Sequence, residues 1–325
     1  MSSLRIVSTG SYVPEKVLTN FDLEKIVETT DEWITTRTGI KERRIADADK
    51  ASSDLAAPAL RIALERAGIT VNQLDALIVA TGTPDRLFPS TAVRTLKLLG
   101  ASKPIPAFDI LAACSGFNYA LEVARGLARI DGYTYIAVVG AEVLSKFINW
   151  NDRSTCVLFG DGAGALIFKK VADDGFLYGR LYSDGSLDEL LEIPGGGSRI
   201  PPGKAPEDLY TIKMQGREVF KHAVVKLSEA VLEALNASGL AVEMIDGVFA
   251  HQANKRIIDA VCERTGIDPA KVRMNIDRLG NTSAASIPIL IDEAFQEGSI
   301  RKGAHYLIFS FGAGFVWGVH IYKHT

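Results

Sequence analysis

The chain has 325 residues, 47% of them hydrophobic, and a formal net charge of −3. That length supports a large core in one compact body or two fused halves, and that charge argues against a nucleic-acid footprint. The three cysteines have no paired spacing, which excludes a zinc knuckle and a disulfide framework.

In chain order, MSSLRIVSTGSYVPEKVL has strand character without a signal-peptide pattern, and no later apolar run approaches the roughly 20 residues that span a bilayer. A cytoplasmic protein with reduced thiols is expected. SSDLAAPALRIALERAGI reads as a helix, capped by Ser53 and ended by Gly68. LDALIVA, TYIAVVG and YLIFSF are continuous branched runs, which predicts strands buried on both faces of a mostly parallel sheet. PAFDIL predicts a short strand, followed by the small residues Ala112 and Ala113 and then Cys114. Beyond it Phe117, Ala120, Leu121, Ala124 and Leu127 recur at helical spacing. GDGAGA superficially suggests a dinucleotide loop, but it joins TCVLF to ALIF, strand to strand, and opens no helix. PGGGSRIPPG, with paired prolines and three glycines, reads as a mobile loop rather than a phosphate cradle.

Cys114 thus falls at a strand-to-helix junction, where unpaired N–H groups and the helix dipole favour an anion and lower a thiol's pKa. On position alone, a buried structural cysteine is the competing reading. An internal repeat adds weight to the nucleophile. LIVATGTP (77–84) is matched by GVFAHQAN (247–254), PAFDILAACSG by VRMNIDRLGNTS, and LFGDGAGALIF by FSFGAGFVWGV, in the same order. Two copies of one α/β unit related by a pseudo-twofold axis would bring Cys114 of the first to His251 and Asn281 of the second. The expected halves are residues 1–172 and 173–325, and the expected architecture is a five-layer αβαβα stack of helices around two sheets.

A thiolate, an imidazole and a carboxamide at one point suit covalent acyl transfer. The thiolate takes an acyl group from a thioester. Neutral His251 and Asn281 can donate to an enolate oxygen as a second thioester loses carbon dioxide. The backbone N–H groups of Cys114 and of Ala313, in the Gly312–Gly314 turn, are the expected oxyanion hole. No metal or cofactor is required.

These residues and five ordered motifs resemble the β-ketoacyl-acyl-carrier-protein synthase III family, thiolase-superfamily condensing enzymes that start type II fatty acid synthesis. The motifs are TTDEWITTRTGIKERRIA, ACSGF, WNDRSTCVLFGDGAGA, HQANKRI and GNTSAASIP. The resemblance implies that Cys114 accepts the acyl group from an acyl-CoA primer such as acetyl-CoA, and that His251 and Asn281 decarboxylate malonyl-acyl carrier protein. It implies coenzyme A contacts at Trp33, Arg37, Arg153 and Asn254, and carrier-protein docking at Lys221 and Arg256. It also implies a homodimer in which Phe88 lines the partner's acyl pocket; the mobile glycine-rich loop is expected to cover the acyl tunnel. Members often carry three glycines where this chain has Ala313 in the middle.

Two other activities compete with condensation. One moves the acyl group to an alcohol or amine; the other is a cysteine hydrolase or an inactive carrier-binding subunit. Retention of both His251 and Asn281 favours condensation. Cys156, in an apolar strand, and Cys262, on a helix, are expected in the core. His222, His305, His320 and His324 are expected in surface or satisfied core roles, and Asp109 and Asp161 are expected to bind backbone. Lys213, Arg217, Lys221, Lys255 and Arg256 form the expected local basic patch.

Overall fold

A computed structural model describes residues 3–172 and 175–325. The expected boundary between 172 and 173 abuts residues 173 and 174, which lie outside the described residues. Two sheets carry the fold. In the first, Ser3–Tyr12, Gly162–Val171, Tyr135–Glu142, Ala76–Ala80 and Ala107–Ile110 lie side by side in that order. In the second the order is Phe176–Ser183, Val316–Lys323, His305–Gly312 and Gly247–Ala250. The pairing senses agree strand for strand: antiparallel, antiparallel, then parallel. Where the first sheet adds Ala107–Ile110 in parallel, the second has only a parallel bridge from Val248 to Val272. The duplication inferred from the sequence is therefore a repeat of topology.

The mostly parallel sheet is not found; both sheets are mixed. Three residues, Ala313 to Phe315, join His305–Gly312 to Val316–Lys323, too few for a parallel crossover. Two local readings also change. TCVLF is not a strand: Arg153–Cys156 is a short helix and Phe159 makes a single bridge to Asn281, so Cys156 is buried at a helix end. Gly162–Val171 is nonetheless a strand, so the GDGAGA segment opens no helix. Ser53 does not cap the helix Ser52–Ala67. Ala51 takes the cap position and its N–H donates to Asp54, while Ser53 donates to Asp85. Gly68 ends that helix in the left-handed region, at φ 65°.

Five layers follow from which faces are apolar. Ser52–Ala67 covers the outer face of the first sheet, and Gly216–Ser238 with Lys255–Thr265 covers that of the second. Between the sheets lie Gly116–Leu127 and Ser286–Gln296. Their Phe117, Leu121, Ile287 and Leu290 share one core with Ile78, Val138 and Ile308 from both sheets. Each such fully buried side chain contributes roughly 1.5–3 kcal/mol. Polar ties reinforce the join. Buried Asp292 accepts from Thr9 and Ser11 and pairs with Arg66 at 2.7 Å. His320, wholly buried, is satisfied by Asn118 at 3.0 Å and Glu122 at 2.8 Å.

The central helices begin in matched turns. Ala113 (φ 42°) and Ser283 (φ 49°) are left-handed non-glycine residues, each opening a 3-10 turn that runs into a helix. Cys114 therefore corresponds to Ala284, three residues beyond Asn281, and the spacing from Thr81 to Cys114 equals that from His251 to Ala284. One glycine presses on each turn. A Cβ on Gly312 would lie 2.8 Å from the Cys114 nitrogen, and one on Gly140 would lie 2.7 Å from the Ala284 carbonyl carbon. Both obstacles are backbone. Gly140→Ala is expected to cost at least about 3 kcal/mol, at the upper end for overpacking. Denaturant unfolding checks this, and a loss below about 1 kcal/mol would mean that the turn yields freely.

Candidate active site

Cys114 stands second in the turn Ala113–Ser115, directly before Gly116–Leu127, at the junction the sequence predicts. Left-handed backbone at Ala113 is sparsely populated for residues with a Cβ and costs of order 1–3 kcal/mol, a strain characteristic of functional turns. His251 follows the strand Gly247–Ala250, and its N–H donates to Phe309 at 2.9 Å. Asn281 is held by two backbone bonds, donating to Leu158 at 2.9 Å and accepting from Gly160 at 3.0 Å. Beneath this crossing Arg43 is wholly buried, with no carboxylate partner among the described residues. It donates instead to Leu18, Asn20 and Val157, and burial lowers it to about 10.

Cys114, His251, Asn281 and Ala313 line one cavity of about 920 Å³. The Asn281 Oδ1 accepts from the Ser283 N–H at 2.8 Å, which leaves Nδ2 as the end available to a ligand. The imidazole Nδ1 lies 2.8 Å from the Ser286 hydroxyl, while Nε2 is buried with no hydrogen-bond partner among the described residues. Burial pushes the imidazole down to about 3, so it is neutral at working pH. The lowered thiol expected from the helix N-terminus is not found in the free protein. Burial dominates and pushes Cys114 up to about 12, against a favourable hydroxyl on Ser283. The resting sulfur is thus a thiol that must lose a proton to react.

Trp33, Arg37, Asn254 and Arg256 also line the cavity. The guanidinium carbons of Arg37 and Arg153 lie 4.5 and 4.8 Å from the Trp33 ring centre, a cationic and aromatic group suited to a flat anionic ligand. The side chain of Asn254 caps the helix Lys255–Thr265 and donates to the Arg37 carbonyl at 3.0 Å, so it braces this wall. Gly195, Gly196 and Gly197 of the glycine-rich loop are in the lining too. Phe88 is 82% exposed and lies outside the lining. Lys221 is exposed beside Glu218, and Lys213 and Lys255 pair with Asp208 and Asp259, so the five-residue basic patch is partly neutralised. Asp109 and Asp161 bind backbone N–H groups, as their positions beside strand ends and glycines suggest.

The sequence reading missed Glu142, Ser283 and Ser286. Glu142, wholly buried, accepts from the Gly82 N–H at 3.1 Å and from the Thr83 hydroxyl at 2.7 Å. Its signal is one acid ending an apolar strand, TYIAVVGAE. Burial raises it from 4.5 to about 7, so the folded state holds this proton more tightly than the unfolded chain does. Its contribution to stability is therefore greatest below about 4.5 and falls as pH rises to about 7. Glu142→Gln is expected to gain melting temperature relative to wild type through that window. A pH-independent difference would show that the carboxyl ionises normally.

Paired mixed sheets enclosing two helices, with a thiol, imidazole and carboxamide on one cavity, define the thiolase class of acyl-transferring enzymes. Family models described as 3-oxoacyl-(acyl-carrier-protein) synthase III match residues 108–185 and, for its C-terminal region, 235–324. The chain is 51% identical to the β-ketoacyl-(acyl-carrier-protein) synthase III of Caldanaerobacter subterraneus, over 98% of this chain and 97% of that one. The solved 3-oxoacyl-(acyl-carrier-protein) synthase III from Aquifex aeolicus superposes with a TM-score of 0.91 at 45% identity, covering 99% of this chain and all of that one. The corresponding Thermus thermophilus structure gives 0.91 at 46%, covering 98% of each. The chain belongs to the β-ketoacyl-(acyl-carrier-protein) synthase III family of condensing acyltransferases.

Proposed function

We propose that this enzyme performs the initiating condensation of fatty acid synthesis. The sulfur of Cys114 attacks an acyl-CoA thioester, such as acetyl-CoA; the carbon–sulfur bond to coenzyme A breaks, and coenzyme A leaves with the proton. Malonyl-acyl carrier protein then loses carbon dioxide while His251 and Asn281 donate to the enolate oxygen. The enolate carbon attacks the acyl-cysteine, giving 3-oxoacyl-acyl carrier protein, and the departing Cys114 thiolate takes a proton from solvent. The N–H groups of Cys114 and Ala313 face the tetrahedral oxyanion. The observation that carries this reading is the meeting of Cys114, His251 and Asn281 on one cavity that also reaches Trp33 and Arg37. Coenzyme A is read at Trp33, Arg37 and Arg153, with Asn254 bracing that wall, and the carrier protein at Lys221 and Arg256. Both thioesters are substrates and no cofactor takes part. Radiolabelled acetyl-CoA followed by malonyl-carrier protein should yield labelled acetoacetyl-carrier protein. No carrier-linked ketoacyl product with any short primer would overturn the reading.

The halves are taken as 1–172 and 173–325, sharing one core. A homodimer is supported by three exposed apolar side chains beside the edge strand Ala107–Ile110: Leu87 at 77%, Phe88 at 82% and Leu111 at 76%. Phe88→Asp is expected to convert dimer to monomer in sedimentation, and a monomeric wild type would refute it. A cytoplasmic location fits a site that depends on a reduced thiol. Among the described residues no helix is long and apolar enough to cross a membrane.

A further inference from the structure

Among the described residues the imidazole of His251 is hydrogen-bonded through Nδ1 alone. Nδ1 lies 2.8 Å from Ser286 Oγ, which lies 2.8 Å from the Ser283 carbonyl oxygen and 3.4 Å from the Gln252 N–H. A carbonyl oxygen only accepts, so the single hydroxyl proton of Ser286 is committed to Ser283. In this arrangement the oxygen of Ser286 accepts from Nδ1, and that nitrogen carries the ring proton. The neutral imidazole is left with a bare lone pair on Nε2, the buried nitrogen without a protein partner.

The opposite arrangement is also open. The Ser283 carbonyl oxygen accepts from the Ser286 backbone N–H as well, so it keeps a partner if the hydroxyl turns away. Turned onto Nδ1, the hydroxyl donates, and the ring proton belongs on Nε2. We propose that Ser286 is a positioning residue that sets the tautomer of His251, holding Nε2 as an acceptor in the resting enzyme and making it a donor when its hydroxyl rotates.

The two half-reactions make opposite demands on that nitrogen, and the inference rests on the condensation reading in this respect alone. Cys114 rests as a thiol, so its acylation needs an acceptor. As Sγ bonds to the thioester carbon its proton passes through Nε2 to the coenzyme A sulfur, and the bond to coenzyme A breaks. Decarboxylation then needs Nε2–H against the enolate oxygen. Between the two steps Nδ1 releases its proton to water and Nε2 takes one from water as the Ser286 hydroxyl turns onto Nδ1, so the ring starts and ends each half-reaction neutral.

The test is nitrogen NMR of the full chain labelled at its five histidines, with the His251 signals assigned by their loss in His251→Gln. The free wild type is expected to show a protonated Nδ1 and a pyridine-like Nε2. In Ser286→Ala the ring is expected to shift towards Nε2–H, and acylation of Cys114 from acetyl-CoA to slow roughly tenfold. Condensation by enzyme already acylated should slow less. Nε2–H in the free wild type, or an unchanged tautomer in Ser286→Ala, overturns the proposal. The wild-type spectrum decides even if the variant folds poorly. A wild type that makes no ketoacyl product would sink the condensation reading while leaving the tautomer measurable.

Discussion

Cys114→Ala is expected to take up no acyl label from acetyl-CoA and to lose at least roughly 10⁴-fold in condensation, as removal of a covalent nucleophile does elsewhere. The reason is local. In the Ala113–Ser115 turn the Cys114 sulfur faces the cavity while the Ser115 hydroxyl is tied to Val316 and Ser310, and the turn is pinned from behind by Gly312. The fold should survive, because the substitution removes one atom from a residue that faces the cavity. Mass spectrometry of the intact protein after acetyl-CoA treatment is the check. An acetyl adduct on Cys114→Ala would move the acceptor elsewhere, with the buried Cys156 and Cys262 as the first places to look.

Asn281→Ala is expected to separate the two half-reactions. Acylation of Cys114 should persist, while decarboxylative condensation falls by roughly 10²–10³, the effect of removing one preorganised donor from a developing oxyanion. The separation follows from geometry, since the Asn281 amide is oriented by the Ser283 N–H with Nδ2 available to the cavity. Its two backbone bonds to Leu158 and Gly160 do not depend on the side chain. Stopped assays of acetyl-enzyme formation and of product release distinguish the two. Equal loss in both steps would show that Asn281 maintains the turn rather than the enolate.

What could be read in advance was whatever a short motif or a repeat announces. Cys114 among small residues, AHQAN and LGNTS each stand out because polar residues interrupt apolar runs, and their matched order placed them on one site. The mixed sheets were missed because a continuous apolar run has the same composition whether its neighbour runs parallel or antiparallel. Direction is set by connection length, and TCVLF looked like a strand before Arg153–Cys156 proved helical. Glu142, Ser283 and Ser286 were illegible for a different reason. Each is a common residue whose role lies in partners far along the chain, such as Gly82 for Glu142 and His251 for Ser286. The direction of the Cys114 shift was misjudged because the helix N-terminus can be read from spacing, whereas burial of the thiol cannot.

The shared central core has a bearing on synthesis. Phe117 and Leu121 leave the ribosome well before the strands His305–Gly312 and Val316–Lys323 that close their layer. Even Ile6, near the start, donates its N–H to the hydroxyl of Tyr322, near the end. The nascent first half therefore carries a bare apolar helix face until those strands emerge. Completion of the fold must await contacts between segments some three hundred residues apart, such as Ile6 and Tyr322, the kind of long-range pairing that slows folding and exposes apolar surface meanwhile.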